Sequence, residues 1–136
     1  MAEAKHQVDE LIEFFNLMWG NFPILAQLIH KDRTVMALNR IALAQGKKPG
    51  KKCFEFTGRS KVCPHCEANE AMRDKTGRGA ISYNWPLQQL RDCYWVPVPG
   101  HEDYYVHCGI NITDYGIKAL FDEKRAVAEK HFISGT

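Results

Sequence analysis

Near the N-terminus the apolar residues fall at Val8, Leu11, Ile12, Phe15, Met18 and Trp19. This three-and-four spacing marks one face of a helix and predicts an amphipathic helix over residues 8–19, stopped by Gly20-Asn21. The pattern then changes period. PILAQLIH (23–30) reads as a strand, KDRT (31–34) as a turn and VMALN (35–39) as the hairpin partner. RIALAQG (40–46) reads as a short helix closed by Gly46. Residues 47–78 are rich in Lys, Arg and Gly and predict short helices and loops, including a helix over 67–75.

Three strand-like runs follow, AISYNWPL (80–87), DCYWVPV (92–98) and YYVHCGINI (104–112), separated by QQLR and by PGHED. Pro and Gly in PGHED mark a hairpin turn. At the C-terminal end Ile117, Leu120, Phe121, Lys124, Val127 and Ala128 form a second helical stripe. Helix, hairpin, irregular middle, three strands and helix together predict an α+β domain with one five-stranded antiparallel sheet. In the last strand Val106, Cys108, Ile110 and Ile112 share one face, and Tyr105, His107 and Asn111 the other. The apolar set is expected to face the helices, which would turn Cys108 inward and His107 away.

The chain has 136 residues, enough for one domain with a core of its own. A formal net charge of +2 gives no argument for a nucleic-acid or acidic-membrane partner. The N-terminal segment carries Glu3, Asp9, Glu10 and Glu13 and lacks the apolar run of a signal peptide. No stretch approaches the roughly 18 apolar residues of a membrane span. The expectation is a cytoplasmic protein, in which clustered cysteines point to metal or redox chemistry before structural disulfides.

Several stretches resemble the PAS domain family of bacterial sensory and signalling modules, over residues 21–115. PILAQLIHKDRTVMALNRIALAQ is similar to the family's opening hairpin, with its turn aspartate and helix-starting asparagine at Asp32 and Asn39. GKKCFEF continues the likeness. INITDY is similar to the closing Asp-Ile-Thr signature, with Asn111 in place of the aspartate. The resemblance implies strand order 2-1-5-4-3, helices on one face, and a pocket for a cofactor or small molecule. It also implies flanking helices, over residues 1–20 and 116–136, that form a homodimer or pass a signal on. No kinase, cyclase or DNA-binding segment is present, so output is expected from a signalling partner such as a histidine kinase or regulator, or from a further part of a longer protein.

The chemistry is concentrated in cysteine. Cys53, Cys63 and Cys66 form a C-x9-C-x2-C set, with Cys93 and Cys108 on the late strands. A Cys-x-x-Cys turn supplies two soft ligands, so zinc or an iron-sulfur cluster would take Cys53, Cys63, Cys66 and a fourth ligand. Cys108 is the candidate fourth ligand and Cys93 the alternative, with His65 and His107 poorer by type. Covalent c-type haem is argued against, because Glu67 stands where that attachment needs histidine.

CPHC is also a thioredoxin-type tetrapeptide, with Cys63 as nucleophile and Cys66 as resolving thiol. That chemistry needs a buried strand before the motif, and TGRSKV is a poor one. The third alternative is an organic-ligand sensor in which the cysteines are incidental. Trp85, Tyr94 and Trp95 then either pack the sheet or line its cavity. His30 and Asp32, like His101, Glu102 and Asp103, read as turn polarity, and KKPGKK (47–52) as a solvated loop. Non-catalytic sensing is the favoured reading.

Overall fold

A computed structural model describes residues 2–115 and 118–134. The elements run α1 (Ala2–Trp19), β1 (Leu25–His30), β2 (Val35–Leu38), α2 (Arg40–Ala44), a 3-10 turn (Cys53–Thr57), α3 (Ala68–Asp74), β3 (Arg78–Asn84), β4 (Gln89–Val98), β5 (His101–Asn111) and α4 (Lys118–Ser134). The five strands form one antiparallel sheet in the order β2-β1-β5-β4-β3.

The first hairpin is fixed by side chains that imitate backbone. Asp32 accepts the Thr34 N–H at 2.8 Å and pairs with His30 at 3.0 Å and Lys52 at 3.4 Å. The Thr34 bonds, above all, hold its carboxyl far below the usual range. Asn39 then ends the hairpin and caps α2. Its Oδ1 accepts the Ala26 and Ala42 N–H groups, both at 3.1 Å, while its amide donates to the Phe22 and Ile24 carbonyls. All the polar capacity of this buried side chain is used.

Both faces of the sheet are covered, which makes β1 a continuous buried run. Leu25 and Ile29 join Val35, Leu38, Ala42, Ala71, Trp95 and Tyr105 on one face, under α2 and α3. Ala26 and Leu28 join Ala37, Val106 and Cys108 on the other, where Leu11 and Phe15 of α1 cover them. The predicted stripe of α1 is therefore used in part: Met18 is exposed, while Ile12 and Trp19 pack at the margin.

Three sequence expectations need correction. The turn of the last hairpin is Pro99-Gly100, with Gly100 at φ +79°, and His101, Glu102 and Asp103 belong to β5. Trp85, Pro86 and Leu87 form the β3–β4 turn, and β4 already begins at Gln89. The phase of β5 is opposite in consequence to the expectation. Its apolar set does face a helix, but that helix is α1. Ile117, the first residue of the C-terminal stripe, and residue 116, where that flank was expected to begin, lie outside the described residues.

Candidate functional site

Period-two alternation places Leu25, Gln27 and Ile29 of β1, Tyr105, His107 and Gly109 of β5, and Arg91, Cys93 and Trp95 of β4 on one wall of a cavity of about 280 Å³. Register sets the neighbours: Gln27 lies opposite His107, which lies opposite Trp95. In the next row Leu25 faces Gly109 and Gly109 faces Cys93. A Cβ on Gly109 would stand 3.2 Å from the Cys93 sulfur and 3.5 Å from an Arg91 nitrogen, so glycine makes room for both. Arg91 uses that room to donate to the Gly109 carbonyl at 3.0 Å.

The facing wall comes from the loop after the 3-10 turn and from α4, which contributes Lys124, Val127, Ala128, His131 and Phe132. Aromatic contacts seat α4. Phe121 meets Tyr83 edge-on at 5.3 Å, Phe132 lies 6.0 Å from Trp85, and the Arg125 guanidinium covers both Tyr83 and Trp85. Trp85 and Trp95 thus line the cavity, whereas Tyr94 is on the other face of the sheet and exposed. A volume near the lower end of the roughly 300–1,000 Å³ of ligand pockets suits a small organic molecule.

The cavity is positively charged. Arg33, Lys47, Arg59, Arg91 and Lys124 line it, and among the described residues no Asp or Glu does. Burial, reinforced by Arg91, lowers the Lys47 pKa. Arg33 stands at φ +77° in the hairpin turn, and its side chain is buried at the cavity. It donates to the Lys31 carbonyl and to Asn69 Oδ1 and lies over the Tyr105 ring. Nothing in KDRT beyond an arginine in a turn announces this.

Several polar atoms here are unsatisfied. Gln27 Oε1, Arg33 Nε and Arg59 Nε are buried without a hydrogen-bond partner in the protein, and all three residues line the cavity, while the Tyr105 hydroxyl meets the Cys53 thiol. Among the described residues the one other such atom is Glu70 Oε2. His107 stacks on Trp95 at 5.0 Å and its Nδ1 lies 2.9 Å from the Tyr94 carbonyl. A carbonyl only accepts, so Nδ1 carries the proton and Nε2 is an acceptor while the ring is neutral. Burial keeps it neutral, lowering its pKa to about 4.

The cysteines divide between the two faces. Cys53, Cys63, Cys66 and Cys93 line the cavity, together with His65 and His107. Cys108 packs under α1 on the opposite face, so it is not brought to the other four. Cys108 is buried as expected, but His107, expected to point away, lines the cavity. The Cys53 amide donates to the Arg33 carbonyl at 2.8 Å, and a turn closes from the Cys66 amide to the Cys63 carbonyl at 3.1 Å. All five thiols are free.

Among the described residues no three or more His, Cys, Asp or Glu side chains are grouped to hold a metal ion. The trio shares a wall of the cavity. Burial and the neighbouring Cys63 and Cys66 push Cys53 up to about 11, and burial pushes Cys63 up as well. Thr57 holds the Cys63 sulfur at 3.8 Å. CPHC occupies a loop between the 3-10 turn and α3, and Cys63 lies at neither the end of a strand nor the start of a helix.

No family model and no curated protein matches the sequence. Solved structures do match the fold. The sensory box sensor histidine kinase from Vibrio cholerae superposes with a TM-score of 0.55 at 13% identity, over 82% of this chain and 91% of that one. The PAS domain from Bordetella pertussis BvgS gives 0.52 at 14% identity, over 88% and 98%. The phage VqmA–DPO complex gives 0.54 at 14%, over 93% of this chain and 60% of that one. At such identities it is the fold that is shared, and sheet order 2-1-5-4-3 is common ground with the sequence resemblance. No described helix is long and apolar enough to cross a membrane. The chain adopts the PAS fold, with a cationic cavity between its sheet and α4 and four of its five cysteines on the cavity wall.

Proposed function

We propose that this chain is a sensory module that takes a small organic ligand into the cavity and reports its presence through α4. One observation carries the reading: Gln27, Arg33 and Arg59, three residues that line the same cavity, each keep a buried polar atom that the protein leaves unpartnered. Such an atom costs about 1–3 kcal/mol, a cost that a core selected for stability alone has no use for. A ligand toward which these side chains can turn would recover it. Because α4 forms one wall, ligand contact and helix docking share residues, which supplies the coupling that a sensor needs. The VqmA–DPO complex among the similar folds supports a binding role. The sensor histidine kinase supports an output held in a partner or an attached segment.

The thiols argue less for exchange chemistry. An attacking cysteine needs its thiolate, and burial favours the protonated form of Cys63. The test is a fragment library screened by ligand-observed NMR against the wild-type chain, Ala128→Trp and Gly109→Val, which fill the cavity from opposite walls. The expected result is saturable binding to the wild type that both variants lose with unchanged circular dichroism. Slower amide exchange in α4 should accompany it. Binding that both filled cavities retain, or no saturable binding, would overturn the reading.

A further inference from the structure

We infer that the ligand is a small organic oxyanion, a carboxylate or phosphate ester on a flat apolar body that also carries a hydrogen-bond donor. The inference rests on the ligand-cavity reading and goes on to specify the chemistry of the occupant. Charge comes first. Five cationic side chains line the cavity and no carboxylate among the described residues balances them there. Arg33 is buried and the other four are half-buried, and positive charge held so without a counter-ion carries a desolvation cost that an anion brought in by the ligand would offset. Arg33 Nε and Arg59 Nε are the unpaired donors. An oxyanion accepts from several donors at once, which neutral carbonyls do less strongly.

The other polar edge has the opposite character. Gln27 Oε1 lacks a donor, and its cross-strand neighbour His107 presents Nε2 as an acceptor once Nδ1 is committed to the Tyr94 carbonyl. Two adjacent acceptors call for a hydroxyl or N–H on the ligand. The remaining lining, with Trp85, Trp95 and Phe132, offers ring faces to a flat body. A simple inorganic anion would leave those surfaces and the two acceptors unused.

Calorimetric titration decides the matter with probes of fixed shape: benzoate, 4-hydroxybenzoate, phenylacetate and indole-3-acetate, the matching amides, phenyl phosphate and inorganic phosphate. At least one aromatic acid or the phosphate ester should bind saturably, and its neutral counterpart roughly tenfold or more weakly. Whether the acid or the ester binds tighter identifies the oxyanion. The 4-hydroxyl should improve on benzoate. Arg59→Gln, on a loop, should weaken the anion about tenfold and leave the amide unchanged, with the unliganded melting curve as the control for folding.

Amides that match their acids would overturn the anion assignment and leave the ligand cavity standing. Inorganic phosphate as tight as the organic probes would overturn the apolar body. Failure of every acid and of phenyl phosphate would overturn the inference as a whole, and the fragment screen with its filled-cavity variants then shows separately whether the cavity reading survives.

Discussion

Asn39 shows how much of this fold one side chain can hold. It closes the first hairpin and starts α2 with four hydrogen bonds, none exchangeable with water. Asn39→Ala should cost about 2–4 kcal/mol in urea unfolding, because two N–H groups and two carbonyls lose a partner together. Asn39→Asp keeps both acceptor bonds but turns a second oxygen toward the Phe22 and Ile24 carbonyls. It should be no more stable than the alanine variant at neutral pH, and should recover part of the loss as the carboxyl protonates. Asn39 was legible in the sequence because capping is a local pattern. His107 was not, because its role depends on which layer lies behind β5. Its pH signature follows from its neutral state. The unfolded imidazole takes a proton near pH 6.5 and the folded one near 4, so stability is full above about 6.5 and declines as pH falls to about 4, where the loss saturates. The loss should be about 1–3 kcal/mol, and His107→Phe, which keeps a ring against Trp95, should remove that part of the slope in pH-dependent melts.

At the scale of elements, the alternation of period two and period 3.6 placed the strands and the short helices within about three residues, while α1 begins six residues before the predicted stripe. The errors have physical causes. Pro99-Gly100 is enough to turn β4 into β5, so the polar HED that follows was free to pair as strand. The bulge at Pro97/Val98 absorbs the proline inside β4. The phase of β5 was read correctly and interpreted wrongly, since an apolar face only says that something covers it. Here α1 covers Val106 and Cys108, while the cavity takes Tyr105, His107 and Gly109. The cationic lining was the least legible part: Arg33 and Lys47 sit in segments that read as turn and solvated loop, and Arg91 in a presumed connection. Only an arginine in phase with buried strand positions, as Arg91 is with Cys93 and Trp95, was there to signal it.

The whole molecule is a sheet with two differently built sides, and two buried thiols report on them separately. Cys93 is 6% exposed on the cavity side and Cys108 is 7% exposed under α1. The two thiols sit on neighbouring strands, one residue apart in register, since Cys93 lies opposite Gly109 and Tyr94 opposite Cys108. Their environments match in burial, so alkylation differences reflect which cover opens. Among α1 side chains Leu11 and Phe15 are buried, and Phe15→Ala removes half of that anchor. On the other side α4 is held largely by rings, and Phe121→Ala deletes the contact to Tyr83. Iodoacetamide labelling followed by peptide mapping should therefore give a crossed pattern. Phe15→Ala should speed modification of Cys108 about tenfold with Cys93 unchanged, and Phe121→Ala the reverse, since each truncation lowers the cost of one local opening by roughly 1–2 kcal/mol. A bound ligand should slow Cys93 alone, because it adds contacts only to the cavity side. If either variant instead accelerates both thiols equally, α1 and α4 open in one cooperative step, and the cavity side cannot respond to a ligand independently of the other.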